Sequence, residues 1–302
     1  MDKRRFDVVG LGQCCLDVLV TVDAYPGADS KCEYNDRVVQ GGGPTGTALV
    51  ALSRWGLRTA ALGVVGDDVF GPMIVRSLDD ESVDTAGIVT REGESSQFAF
   101  IAAEPGAGSR TVFWRRPSGP PPATEEIDLA VIRRARAFHT DGLFIDAALA
   151  GAGAARDAGV PVVVDAGTLR DGMLDLARLS DYFVVAEKFA RTLTGGDDPS
   201  EACRRLAELG PRVVGVTLGA RGAVAMIDGT IHEQRPYPVD AVDTTGCGDV
   251  FHAGITFGAV RGWPPAKGLD FAAWAAAGVA RGLGGRSTIP TLQDWTGGGN
   301  VL

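Results

Sequence analysis

From residue 124 onward the sequence alternates short apolar runs with longer stretches of helical spacing. Val160–Asp165, Tyr182–Val185 and Val213–Leu218 are Val-rich and too short to be buried helices, so they read as strands. Ala147–Ala158 reads as a helix stopped by Gly159. A second helix runs to Leu209, with Asp198 as N-cap, Pro199 at its first position and Gly210 after it. Strands apolar on both faces, separated by helices of roughly ten or more residues, build a mostly parallel sheet covered on both sides. The fold class is therefore α/β, with a doubly wound sheet.

The remaining segments fill in that plan. Phe6–Gly12 is a first strand, and Leu16–Val22 continues as β rather than turning into a helix. Thr45–Trp55 is a helix stopped by Gly56, Thr59–Val65 a strand and Asp68–Ser82 a helix. Thr124–Arg136 is expected to be helical and to lead into a strand at Ala137–Thr140. Ala223–Ile227 and Thr230–Gln234 form a hairpin about Asp228-Gly229, and helices follow near Asp249–Arg261 and Leu269–Leu283. Ser96–Ala103 and Arg110–Arg115 form another hairpin around Pro105-Gly-Ala-Gly-Ser109, before the Pro-rich connector Pro117–Pro122. The β-rich pieces near 16–40 and 96–116 do not fit the alternation. We expect them to form a small accessory sheet placed as a lid on one domain spanning residues 1–302.

Charge and composition narrow the function. The chain has 302 residues and a net charge of −9, which argues against nucleic acid or an anionic membrane surface as partner. It does not argue against a small phosphate-bearing ligand. No window of roughly eighteen uninterrupted apolar residues offers a membrane span. The leading Met-Asp-Lys-Arg-Arg has the charge of a signal n-region, but Asp7, Gln13 and Asp17 break the stretch after it, so we read it as leading into the first strand. The five cysteines are odd in number and form no CxxC pair, which points to a reducing cytoplasm rather than to a disulfide framework or a zinc site.

The segment Asp243-Thr-Thr-Gly-Cys-Gly-Asp-Val-Phe251 carries the most chemistry. Backbone N–H groups of Gly246, Cys247 and Gly248 lie where a helix begins, a ready anion site. Asp249 beside it can take a proton from an attacking hydroxyl, an arrangement suited to phosphoryl transfer. The plainer reading is a helix cap preceded by a glycine turn. Gly41-Gly42-Gly43-Pro44 is either a ligand-facing helix start or a strand-to-helix turn, and Asp17 either holds substrate hydroxyls or ends a strand. Thr217-Leu-Gly-Ala-Arg-Gly222 is a turn able to take a nucleotide. Gly10-Leu-Gly12 lacks the third glycine and the helix of a dinucleotide fingerprint, and neither a P-loop nor a GxSxG elbow is present.

These residues, with Leu62-Gly-Val-Val-Gly-Asp-Asp-Val-Phe-Gly71, Ser82-Val-Asp-Thr85 and Leu193-Thr-Gly195, occur in an order that resembles the ribokinase, or PfkB, family of carbohydrate kinases along nearly the whole chain. The resemblance implies a ribokinase-like fold with a β-sheet lid and MgATP-dependent phosphorylation of a sugar hydroxyl. It implies that Asp249 is the base and that Gly246, Cys247 and Gly248 form the anion hole. Asp17, Gly42 and Gly43 match substrate-contacting positions. Thr217, Gly219 and Gly222 lie in the segment that matches nucleotide contacts, and residues 282–288 match a stretch facing the adenine. Asp243 and Thr245 match positions that bind a monovalent cation, K+ in this reading, in some members. The lid often supplies a homodimer interface.

The sequence departs from the family at three places. Thr47 stands where a substrate-binding Asn is expected. Ala186 and Phe189 replace the Asn and Glu that organise water around Mg2+, which leaves Glu187 as substitute. Gly-Gly-Gly-Pro and Gly-Gly-Arg before Ile-Pro resemble the sulfofructose kinase branch, and Lys31 matches a basic lid position of that branch. Leu143 stands where its sulfonate-gripping Arg is expected. A fructose-like substrate is therefore favoured over a sulfonate. A nucleoside kinase and a sugar-binding regulator without catalysis are the alternatives.

Overall fold

The computed structural model describes residues 6–105 and 109–297. The leading Met-Asp-Lys-Arg-Arg and the tip of the first hairpin lie outside the described residues.

The elements in chain order begin with β1 (Val8–Leu11), β2 (Cys15–Thr21), β3 (Arg37–Gly42), α1 (Pro44–Arg54), β4 (Thr59–Gly66) and α2 (Phe70–Asp79). Next come β5 (Val83–Arg91), β6 (Phe98–Glu104), β7 (Ser109–Arg115), α3 (Leu129–Arg133), β8 (Ala137–Thr140), α4 (Ile145–Asp157) and β9 (Val162–Ala166). The chain continues through α5 (Met173–Arg178), β10 (Tyr182–Ala186), α6 (Glu187–Thr194), α7 (Pro199–Ala207) and β11 (Val213–Thr217). It ends with β12 (Ala223–Ile227), β13 (Thr230–Gln234), α8 (Cys247–Arg261) and α9 (Pro265–Val279).

Nine strands form the main sheet in the order β13-β12-β11-β10-β9-β8-β1-β4-β5. All neighbours pair in parallel except β11–β12 and β12–β13. The strict side-chain alternation of strands sorts the core into two layers. Val9, Val162, Val164, Phe183 and Val185 face α4 to α7. Val8 and Ala137 face α1, α2, α8 and α9. Val163 and Val184 join them on that side, packed against Phe251 and Ile255. Wholly apolar runs were the right sign of strands covered on both faces.

The early β-rich pieces form the separate sheet β3-β2-β6-β7. Its strand β2 begins only a few residues after β1 ends, so the chain passes directly from the main sheet into the smaller one. Asp68 fixes the return: its carboxylate accepts from the Gly71 and Ser96 amides and the Ser96 hydroxyl, joining the start of α2 to the root of β6.

Some elements differ from the sequence expectation. Thr124–Arg136 is not one helix, because Ile127 is extended and Asp128 caps a fresh start, accepting from the amides of Ala130 and Val131. Strand β5 carries no clear apolar alternation, since it lies at the sheet edge and most of it is half-buried or exposed. Helices α5 and α6 are six and eight residues long, too short to leave a periodic signal. Helix α8 begins at Cys247 with Gly246 as cap, two residues earlier than expected.

Trp55 at the end of α1 closes the second core layer. It is 1% exposed, packs edge-on against Phe257 and Phe271, and donates from Nε1 to the Pro290 carbonyl. Trp55→Ala is expected to cost about 3–5 kcal/mol of stability, the range for emptying a large aromatic site. Urea unfolding followed by far-UV circular dichroism checks it.

Candidate active site

The C-terminal ends of parallel strands are where an open α/β sheet binds ligands. Here β1, β8, β9, β10 and β11 end together, facing the N-terminus of α8 and the smaller sheet.

Asp249 sits in the first turn of α8, half-buried. No hydrogen bond or ion pair holds its carboxylate among the described residues, so it is free to engage a ligand. Burial pushes its pKa up to about 8, helped by the negative charges of Asp165, Asp17 and Asp141, while the Arg110 guanidinium works the other way. Each of those three acids is itself held above the usual carboxylate range, chiefly by burial.

The loop before α8 is braced from two sides. Asp243 accepts at one oxygen from the amide and hydroxyl of Thr245, and at the other from the Gly284 amide. Gly246 has φ 78°, and a Cβ there would fall 2.4 Å from the Cα of Gly285. Only glycine fits where two backbones approach so closely. This places the amides of Gly246–Gly248 at the positive end of a fifteen-residue helix. Burial pushes the Cys247 thiol up to about 12, so it remains a neutral part of the wall. A cavity of about 390 Å³ opens beside this turn, lined by Thr217, Gly219, Gly222, Val239, Phe251 and Ala276 among others. The anticipated nucleotide turn and the anticipated anion hole thus border one cavity.

Asp17 and Gly42 also meet. They lie on the adjacent strands β2 and β3, and a Cβ on Gly42 would fall 1.9 Å from an oxygen of the Asp17 carboxylate. Asp17 is 6% exposed and accepts from the Cys15 thiol. Gly43 caps α1. Thr47 is buried one turn into α1, whereas Thr45 donates its hydroxyl to Asp141. Lys31 lies on the exposed loop between β2 and β3, with no ion pair to these groups among the described residues. Glu187 begins α6 and uses both carboxylate oxygens, on Arg221 in the nucleotide turn and on Arg191, which hold its pKa below the usual range.

Sequence reasoning missed several members. Asp141 accepts from the Gln13 amide, the Thr45 hydroxyl and the Leu143 amide, tying together the ends of β1 and β8 and the start of α1. Arg110 reaches from β7 of the smaller sheet and donates to the Thr244 hydroxyl in the anion-hole loop. Arg170 follows β9 and reaches the Asp141 carbonyl, with its Nε buried and unpartnered. Asp141 just after β8 and Asp165 near the end of β9 were visible in the sequence. Only the sheet order places them beside Asp249.

The sequence matches the pfkB family carbohydrate kinase profile over residues 5–292. The chain belongs to the pfkB family of carbohydrate kinases. It is similar to fructokinase-2 of Zea mays, 28% identical across 81% of this chain and 77% of that one. It is also similar to a 5-dehydro-2-deoxygluconokinase of Clostridium perfringens, 24% identical across 97% and 92%. Among solved structures, Arabidopsis thaliana ribokinase complexed with ribose and ATP superimposes with a TM-score of 0.79 at 24% identity, covering 95% of this chain and 96% of that one. Adenosine kinase from Sinorhizobium meliloti gives 0.80 at 21%, covering 94% and 96%. Both show the ribokinase-like fold, with its main sheet and smaller lid sheet. This pfkB protein is therefore a sugar phosphotransferase.

The raised pKa of Asp249 has a thermodynamic signature. Between its ordinary value of 3.8 and about 8 the folded state holds the proton more tightly than the unfolded chain. That contribution to stability is full below the lower value and is lost as pH rises through the upper one. Asp249→Asn removes the dependence, so its melting temperature relative to wild type is expected to climb from pH 4 to pH 8 and then level off. Differential scanning calorimetry across that range is the measurement, and a difference independent of pH contradicts the assignment.

Proposed function

We propose that this pfkB kinase phosphorylates a hydroxyl of a fructose-class sugar with ATP, with Asp249 as the base. The observation that carries the reading is an unpartnered carboxylate in the first turn of a helix whose opening amides border the nucleotide-sized cavity. The hydroxyl oxygen bonds to the γ-phosphorus as the bond from phosphorus to the β,γ-bridging oxygen breaks. ADP leaves and Asp249 keeps the hydroxyl proton. The amides of Gly246, Cys247 and Gly248 stabilise charge on the moving group. Asp17, Gly42, Gly43 and Thr47 hold the sugar, with Lys31 at the lid rim, while Thr217, Gly219 and Gly222 hold the nucleotide. Mg2+ when bound supplies neutralisation of the phosphate oxygens. Glu187 braces the nucleotide turn through Arg221 rather than standing free to order water. Asp243 meets donors but no cationic side chain among the described residues, so we assign a K+ ion to Asp243 and Thr245.

A second reading of the substrate rests on Arg170. Arg116 of the lid lies close enough for its positive charge to weigh on Arg170, whose pKa is lowered chiefly by burial. Asp141 beside Arg170 works in the opposite direction, and a second guanidinium nearby leaves room for an anionic group, as on a sugar acid.

The lid also supports pairing of two copies. Tyr34, Val39, Val112, Phe113 and Trp114 are all exposed on it. We propose a homodimer through this face. The five unpaired cysteines suit a cytoplasmic setting.

ATP consumption is measured with fructose, ribose, sulfofructose, 5-dehydro-2-deoxygluconate and adenosine, in KCl and in NaCl. Fructose-class turnover is expected, with orders of magnitude lost in Asp249→Asn while ATP binding persists. Preference for adenosine overturns the sugar reading, and sugar binding without turnover favours a regulator. Arg170→Ala is expected to lower kcat/KM about tenfold or more for an acid substrate and to spare a neutral one. Sedimentation velocity is expected to show a dimer that Phe113→Glu converts to monomer.

A further inference from the structure

One buried polar group near the transfer site has no part in the mechanism above. His252 lies one turn beyond Asp249 in α8 and is 3% exposed. Its Nδ1 is 2.6 Å from the Gly248 carbonyl oxygen and 3.3 Å from a carboxylate oxygen of Asp165 on β9. Its Nε2 is 3.2 Å from the Val184 carbonyl oxygen on β10. The two carbonyl oxygens can only accept, and the Asp165 carboxylate accepts when ionised. A neutral imidazole has one N–H and one lone pair, so it would turn a lone pair toward a carbonyl or carboxylate oxygen. The doubly protonated ring donates from both nitrogens.

The surroundings fit the same assignment. On β8, the Nδ1 of His139 is 3.0 Å from the Thr256 hydroxyl, which in turn donates to the His252 backbone carbonyl. Burial, with the positive charge of His252, holds the pKa of His139 down to about 3, so the two rings do not compete for the proton. Asp249 lies on the same helix, with Asp141 after β8, Asp17 on β2 and Arg110 on β7 around it. From α1 and α9 no group lies within hydrogen-bond reach of the ring among the described residues.

We propose that His252 carries a proton on each ring nitrogen and, locked to Asp165, acts as a positioning cation of the transfer site. It pins the Gly248 carbonyl behind the anion hole and offsets one of the carboxylates that crowd Asp249. The inference rests on the reading of Asp249 as base. Its consequences for the two partners have opposite sign. Without His252, the uncompensated charge of Asp165 disfavours the Asp249 carboxylate. Without the charge of Asp165, that carboxylate is favoured.

The test combines spectroscopy of the unliganded wild-type protein with pH profiles of kcat. In 15N-labelled protein at pH 7, both ring nitrogens of His252, identified by their loss in His252→Gln, are expected to be protonated. In His252→Gln the acid limb of kcat is expected to move about one pH unit higher, a tenfold loss on the acid side. In Asp165→Asn the limb moves lower, and in the double variant it returns toward wild type. A neutral imidazole in the wild-type spectrum, or single variants that move the limb the same way or not at all, overturns the proposal. A merely structural role would lower stability in both variants without displacing the limb in opposite directions. Should His252→Gln fail to fold, assignment by through-bond correlation from the His252 backbone and the Asp165→Asn profile still decide. A chain inactive on every sugar refutes the base reading, while the spectrum independently decides the state of His252.

Discussion

The crowding of acids at one end of the sheet is the constraint on which the site depends. Asp17, Asp141, Asp165 and Asp249 come from four places in the chain and weigh on one another where the strands end. Like charges in a partly dry cleft are costly. Each acid has a distinct compensation: Asp141 meets two amides and a hydroxyl, Asp165 meets His252, and Asp17 meets the Cys15 thiol. Asp249 has none of these, and burial together with the neighbouring carboxylates raises its proton affinity. A base for an alcohol benefits from that rise, because an ordinary aspartate is a poor proton acceptor.

The same constraint explains why the site sits against the start of α8. The helix N-terminus supplies positive potential to an incoming phosphate without placing a lysine among the acids, where it would neutralise the base. Arg110 adds a full positive charge from the smaller sheet through its bond to Thr244. On the proposed reading, backbone and lid would provide what a P-loop lysine provides in other phosphoryl-transfer folds. This agrees with the absence of that motif from the sequence.

Much of this was legible in the residues. The Val-rich runs gave the parallel strands because a strand covered on both faces needs no polar side. The glycine pair around Cys247 marked the start of a long helix, where an anion hole is expected, and the structure shows why Gly246 cannot be replaced: the backbone of Gly285 lies against it. The reading failed where local signals were weak or contacts distant. Edge strand β5 buries too little to show alternation, and Asp128 restarts a helix inside what looked like one continuous helix. Asp141, Arg110 and Arg170 lie about 80 to 140 positions before Asp249, and only the strand order and the packing of the lid bring them near it. The significance of His252 depends on the Val184 carbonyl of β10 and the Asp165 carboxylate of β9, which no motif encodes.

Asp17 rides on β2, in the smaller sheet, whereas Asp249 rides on a helix packed to the main one. On the proposed reading, the group assigned to the acceptor and the group assigned as base therefore belong to different sheets, joined by the few residues between β1 and β2. On that reading, a tilt of the small sheet would move the acceptor relative to the nucleotide cavity beside α8. Water near Asp249 would have no such carriage, so the connection between β1 and β2 would favour an alcohol over water as acceptor if Asp17 and Asp249 act as proposed.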